Sequence, residues 1–107
     1  MKPRIVESAI TRLRLGHAGL RTYLHKFKIS NSDLCECGEL ETINHFLFYC
    51  RLHRTYRDEL GASLNIYNVA LTRKNLLGGG KYPVPIQMYI REQIGKYIIR
   101  TKKLSSL

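Results

Sequence analysis

Tryptophan is absent from this chain of 107 residues, which has only three prolines, three cysteines and eight acidic residues. So few prolines leave little material for a long unstructured linker, and an odd number of cysteines disfavours a disulfide framework. No stretch approaches about eighteen uninterrupted apolar residues, so no segment is expected to span a bilayer. Met1-Lys2-Pro3-Arg4 leads into a stretch broken by Glu7, Thr11, Arg12 and Arg14, where a secretory signal would need an apolar run. These absences predict an intracellular protein, in nucleus or cytoplasm, with its thiols reduced. Strand-like alternation is nearly missing too. With 44% hydrophobic and 24% charged residues the chain has the balance of a folded protein. It is expected to be mostly α.

The scarcity of acids also limits chemistry. A polymerase or a two-metal nuclease needs several converging carboxylates, and no aromatic-x-Asp-Asp motif occurs in the sequence. Gly78-Gly79-Gly80-Lys81 lacks the spacing and hydroxyl of a phosphate-cradling P-loop and reads as a flexible connector. The expectation is a chain that is not an enzyme.

What is abundant is positive charge. Eighteen Lys and Arg against eight acids give a formal net charge of +10, which favours a polyanionic partner. Residues 1–30 hold seven basic groups and one acid, and residues 81–107 hold six and one. Between them, residues 31–60 carry six acids against Arg51, Arg54 and Arg57, and this acidic centre contains all three cysteines.

Apolar periodicity places the elements. A first helix is predicted from about Pro3 to Leu15, with Ile5, Ala9, Ile10 and Leu13 on one face and Gly16 ending it. A second, from about Ala18 to Phe27, aligns Leu20, Leu24 and Phe27. Ser30-Asn31-Ser32-Asp33 is turn chemistry. A third helix is predicted from about Thr42 to Leu60, closed by Gly61, with Tyr49 and Tyr56 in its apolar stripe. A short helix before the glycine run follows. The last, after Pro83 and Pro85, repeats Ile86, Ile90, Ile94 and Ile98 as far as about Lys103. The expected architecture is a small helical domain with a zinc-knuckle-like loop between the second and third helices and a C-terminal amphipathic helix. Residues 1–60 are read as a helical zinc-binding domain, and 61–107 as a helical extension packed on it.

The chemistry concentrates in Cys35-Glu36-Cys37-Gly38, His45 and Cys50. Zn²⁺ takes four soft or borderline ligands in a tetrahedron, and three thiolates with one imidazole suit it. Cys35 and Cys37, two apart in a turning loop, point to one side, and Gly38 frees the backbone to turn away. His45 and Cys50 would stand about 140° apart on a regular helix, so they share an ion only if the helix distorts at Cys50. With four positions filled and no general base beside them, the site reads as structural. His25 or His53 is the substitute should one ligand fail. Glu39 and Glu41 are expected to favour the N-terminus of the following helix. The plainer alternative makes Cys50 a core residue and the other two free thiols.

The ordered set Leu13-Arg14-Leu15-Gly16-His17-Ala18-Gly19-Leu20, Tyr23-Leu24-His25-Lys26, Leu34-Cys35-Glu36-Cys37-Gly38, Glu41-Thr42-Ile43-Asn44-His45-Phe46-Leu47 and Cys50 resembles one family. It is similar to the zinc-binding domain at the C-terminal end of non-LTR (LINE-type) retrotransposon reverse transcriptases. The resemblance covers about Leu13 to Leu60. It implies Cys35, Cys37, His45 and Cys50 as zinc ligands, RNA or DNA as partner, and the rest of a retrotransposon polyprotein as companion.

On this reading basic helices meet phosphates. The candidates are Arg12, Arg14, Arg21, Lys26 and Lys28 before the cysteines, Arg51, Arg54 and Arg57 after them, and Arg100, Lys102 and Lys103 in the tail. Arg91 and Lys96 are further basic positions on the last helix. Tyr23 and the tail tyrosines could stack on unpaired bases, whereas Tyr49 and Tyr56 are expected in the core. Two competing readings stay open. One is a structural or interaction domain that docks through the isoleucine ladder or self-associates. The other is binding to an anionic membrane, which the lack of tryptophan disfavours.

Overall fold

The computed structural model describes residues 4–16, 18–29 and 31–103. The expectations placed on Pro3, His17 and Ser30 lie outside the described residues, as does the side chain of Tyr23. The chain is mostly α, and no strand occurs among the described residues.

Helix α1 (Arg4–Leu15) buries Val6, Ala9, Ile10 and Leu13, an i, i+3, i+4, i+7 face. Val6 takes the inward place expected of Ile5, which is 53% exposed. Gly16, at φ +79°, ends the helix. Helix α2 (Arg21–Lys26) is shorter than expected: Leu20 is buried just ahead of it, and Phe27 is exposed beyond it.

Three helices stop the same way. After α2, Lys28 adopts φ +60° and the Ile29 N–H reaches back to the Leu24 carbonyl. Helix α3 (Arg54–Asn65) is followed by Asn68 at φ +55°, with Val69 bonding back to Leu64. Helix α5 (Val84–Arg100) is followed by Lys102 at φ +61°, with Lys103 bonding back to Ile98. Each is a six-to-one Schellman closure whose left-handed residue is not glycine. Gly61, expected as a stop, instead sits within α3.

Helix α4 (Arg73–Leu76) is capped by Thr72, whose hydroxyl accepts the Asn75 N–H at 3.1 Å. In α5, Ile90, Ile94, Tyr97 and Ile98 face inward, and the helix packs on α1, α3 and α4. One apolar cluster joins these helices to Phe46 and Leu47. Among the described residues no helix is long and apolar enough to cross a membrane.

The main departure from expectation lies between Thr42 and Leu60. The predicted single helix is three pieces: a π-helical turn at His45–Tyr49, a 3-10 turn at Arg51–His53, and α3. The backbone is extended at Cys50, with φ −66° and ψ 119°. Tyr49, before the break, is 73% exposed, and Tyr56, after it, is 36% exposed, so neither is the core residue expected.

Candidate metal centre

Two backbone devices bring the cysteines and histidine together. The first is a tight hairpin, residues 33–41, with a single antiparallel pairing of Leu34 and Leu40. Its rungs are Glu41 N–H to the Asp33 carbonyl (2.9 Å) and Cys35 N–H to the Glu39 carbonyl (2.7 Å). The Gly38 N–H closes the tip onto the Cys35 carbonyl at 2.9 Å, with Gly38 at φ +96°. That conformation suits glycine, and it turns the chain so that Cys35 and Cys37 share one side.

The second device is the π-helical turn. The Cys50 N–H bonds to the His45 carbonyl at 2.8 Å, five residues back. An i→i+5 turn is wider than an α turn, so residues five apart come round to the same side instead of standing about 140° apart. Thr42 starts the segment by accepting the His45 N–H on its hydroxyl at 3.0 Å. The Cys50 carbonyl accepts both the His53 N–H (3.2 Å) and Arg57 (Nη1, 2.9 Å). Arg51 ties the turn to the hairpin tip through the Cys37 carbonyl (Nη2, 3.4 Å).

The result is a Cys3His cluster. One ligand atom from each of Cys35, Cys37, His45 and Cys50 lies within 4.8 Å of all the others. Cys35 and Cys50 Sγ are 3.7 Å apart, and Cys37 Sγ is 3.2 Å from His45 Nε2. A disulfide would need about 2.05 Å, and all three cysteines are free. Two sulfurs bound tetrahedrally to one ion at about 2.3 Å would be separated by roughly 3.8 Å. The observed separation fits a shared ion and excludes a bridge. Cys35, His45 and Cys50 are buried and Cys37 is half-buried, so solvent reaches the cluster from the Cys37 side.

Electrostatics separate the thiols. Burial pushes the Cys35 thiol up to about 12, reinforced by the sulfurs of Cys50 and Cys37 and opposed by the Cys37 N–H. At Cys37 burial is again the largest single influence and opposes ionisation, but here it is outweighed. The Glu39 N–H, the neighbouring thiols and the positive charge of Arg51 together lower the thiol. Backbone N–H groups aimed at sulfur favour the thiolate, the form a metal binds.

The two substitute histidines are not in the cluster. His25 is exposed. His53 packs edge-on against Phe46 and Tyr97, with centroids at 5.8 and 6.3 Å. Burial, followed by the charges of Lys103 and Arg57, lowers its pKa.

Glu41 does something its sequence position did not reveal. It is 2% exposed, and its carboxylate accepts the Arg21 N–H at 2.8 Å and the Lys103 ammonium at 2.7 Å. It therefore caps α2 from across the fold and anchors the end of α5, rather than attending the helix that follows it. Burial raises its pKa, but Lys103 and the Arg21 amide more than reverse this, leaving it lowered. The signal available was only an acid next to a threonine, and that pair also fits ordinary capping.

The basic residues fall into two groups. Arg21 contacts the Leu34 carbonyl and Glu36, Arg100 pairs with Glu59 at 3.0 Å, and Lys103 pairs with Glu41. With Arg51 and Arg57, these five brace the fold, Arg100 by joining α5 to α3 at the surface. Arg12, Arg14, Lys26, Lys28, Arg54 and Lys102 are exposed. Lys26 lies 6.0 Å from the Phe27 ring, and the Arg14 guanidinium lies against Gly78.

No protein-family model matches the chain, and no solved structure matches it. Over 57 residues, 52% of the chain, it is 39% identical to the retrovirus-related Pol polyprotein from type-1 retrotransposable element R1 of Bradysia coprophila. The matched stretch spans 6% of that polyprotein's length. The chain is thus similar to one short part of a retrotransposon Pol polyprotein and carries a Cys3His cluster fit for a metal.

Proposed function

We propose that this chain is a non-catalytic zinc-binding module of the kind found at the C-terminal end of a non-LTR retrotransposon reverse transcriptase, and that it contacts RNA or DNA phosphates through its basic helices. The observation that carries the reading is the cluster: three sulfurs and an imidazole nitrogen within 4.8 Å, at separations suited to one tetrahedral ion. Three thiolates and an imidazole select Zn²⁺ over the oxygen-seeking cations. The ion acts structurally, since four protein ligands leave no position for water. The net charge of +10 and the similarity to a Pol polyprotein support nucleic acid as the partner.

The test has two arms. Metal analysis of purified protein is expected to give one zinc per chain, and Co²⁺ substitution a tetrahedral thiolate spectrum that Cys50→Ser removes. Fluorescence anisotropy with short RNA and DNA oligonucleotides is expected to show binding that weakens many-fold from about 50 to about 200 mM salt. Metal-free protein whose hairpin and His45–Tyr49 turn keep their order, or binding indifferent to salt, would refute the corresponding half.

A second reading is favoured by one feature. Tyr67, Pro85 and Met88 line an open groove of about 860 Å³ beside α5, and Met88 is 63% exposed. A groove of this kind suits a docking partner or a second copy of the chain. Light scattering separates the two readings, because a stable oligomer without nucleic-acid affinity would favour docking.

A further inference from the structure

Charge alone does not say where a polyanion would sit, and five of the eleven basic candidates are engaged in bracing the fold. One surface differs. Between the Gly16–Lys26 stretch and the Thr42–Asn44 turn lies an open cleft of about 360 Å³. Lys26 stands on one wall and Arg73, at the start of α4, on the other, and among the described residues no acidic one lines it. By contrast the groove beside α5 mixes Glu7 and Glu92 with Arg91 and Lys96, and the hollow between α3 and α5 contains Glu59.

The polar groups of the cleft are arranged as donors. Thr42 accepts the His45 N–H on its oxygen, leaving its own O–H to donate. Asn44 accepts Arg73 on Oδ1 at 3.3 Å, which orients its side-chain N–H₂ as the free end. Two cations with a hydroxyl and an amide donor complement phosphate oxygens. The cleft is also coupled to the metal cluster, because the hydroxyl that lines it caps the turn carrying His45. Fixing His45 on an ion therefore fixes Thr42 and Asn44 in place.

We infer that this cleft holds the backbone phosphate of a nucleic acid, with Lys26 and Arg73 as its cationic walls and Thr42 and Asn44 as its neutral donors. The inference rests on the nucleic-acid reading above and adds the location to it. Thr22, Thr42, Asn44 and Arg73 were not among the phosphate contacts expected from sequence, because only the fold brings them beside Lys26.

The test uses the full chain in its metal-loaded form, with labelled single-stranded RNA, single-stranded DNA and duplex DNA of one sequence as separate probes. Lys26→Ala with Arg73→Ala removes two exposed charges from the cleft. Arg91→Ala with Lys96→Ala removes the same charge from the groove beside α5. Asn44→Asp is isosteric, keeps an oxygen for Arg73, and introduces an anion. The cleft pair is expected to weaken binding about five- to tenfold near physiological salt and to flatten the log–log salt slope by about 1.4–1.8. Asn44→Asp is expected to weaken it comparably, while the groove pair leaves both quantities near those of the unaltered chain. Equal effects from the cleft and groove pairs would overturn the cleft while leaving general nucleic-acid binding intact. An unaltered, metal-loaded chain that binds none of the three probes would overturn both. Metal content and melting temperature, expected to be unchanged in all variants, show that the readout is contact and not folding.

Discussion

Removing the metal is the perturbation whose effect can be worked most directly from the fold. Cys35 and Cys50 are 15 residues apart in sequence and their sulfurs 3.7 Å apart. A shared ion therefore closes a loop of that length, with the Cys37–His45 link nested inside it. Closing a loop of this size costs the unfolded chain about 3 kcal/mol of entropy, and that is the least the ion must contribute. The full free energy of zinc binding to a small domain is larger, about 10–16 kcal/mol, but not all of it is at risk here. The apolar cluster is built mainly from α1, α3, α4 and α5, with Phe46 and Leu47 contributed by the turn that carries His45, so most of it does not depend on the ion. The expected consequence of chelation is thus regional. The hairpin and the His45–Tyr49 turn lose order, while the packed helices persist at low temperature. At roughly 4–8 °C per kcal/mol for a domain near this size, the melting temperature should fall by at least roughly 12–24 °C. Circular dichroism melts before and after dialysis against chelator measure this, and amide exchange shows where protection is lost. An unchanged melting temperature in protein shown to be metal-free would refute the argument, as would complete unfolding at low temperature.

Other consequences follow from single side chains. Glu41→Gln leaves Lys103 partly buried without its anion and should cost about 2–3 kcal/mol at neutral pH, measured by denaturant titration. Because the folded Glu41 is lowered below its ordinary 4.5, its contribution is fully present above that pH and is lost as pH falls through the folded value. The gap between parent and variant should therefore close in acid, and a constant gap would sink the assignment. Gly38→Ala meets no atom within 4 Å but must hold φ +96°, so it should cost about 1–2 kcal/mol by backbone strain alone and weaken metal affinity with it. Gly61→Ala, inside α3 with its nearest neighbour at 4.0 Å, should instead stabilise by about 0.5–1 kcal/mol. The two melting shifts must have opposite signs.

Most of the helices were legible from residue spacing, since an i, i+3, i+4 apolar face leaves few other ways to be buried. Ile90, Ile94 and Ile98 face the core as their period requires, and α1 ends at Gly16 as expected. Helix ends were less legible wherever the left-handed closing residue is not glycine. Lys28 and Lys102 carry no compositional mark of their role, and Asn68, a residue that tolerates the left-handed region, carries only a weak one beside Gly61, which reads as a stop it does not make. Glu41 was misread for a related reason: its partners, Arg21 and Lys103, lie 20 and 62 residues away, and no local pattern reports contacts at that range.

The stretch from His45 to Cys50 shows why one site can be readable in its residues and unreadable in its backbone. Setting His45 at zero on a regular helix puts Phe46 near 100°, Leu47 near 200° and Cys50 near 140°. A straight helix that buried Phe46 and Leu47 would carry Cys50 into the core between them and away from His45. The apolar pattern and the ligand pattern thus make conflicting demands on one segment, and 3.6 residues per turn cannot satisfy both. The chain resolves the conflict with a five-residue turn and an extended Cys50, so Phe46 and Leu47 are buried in the apolar core while Cys50 joins His45 in the cluster. That distortion is held from both sides, the Cys50 carbonyl accepting the His53 N–H and the Arg57 guanidinium together. A buried core cysteine with no ligand role would have required none of it, because the regular helix already delivers Cys50 to the core. The break at Cys50 is therefore itself an argument that its sulfur belongs with the other three ligand atoms.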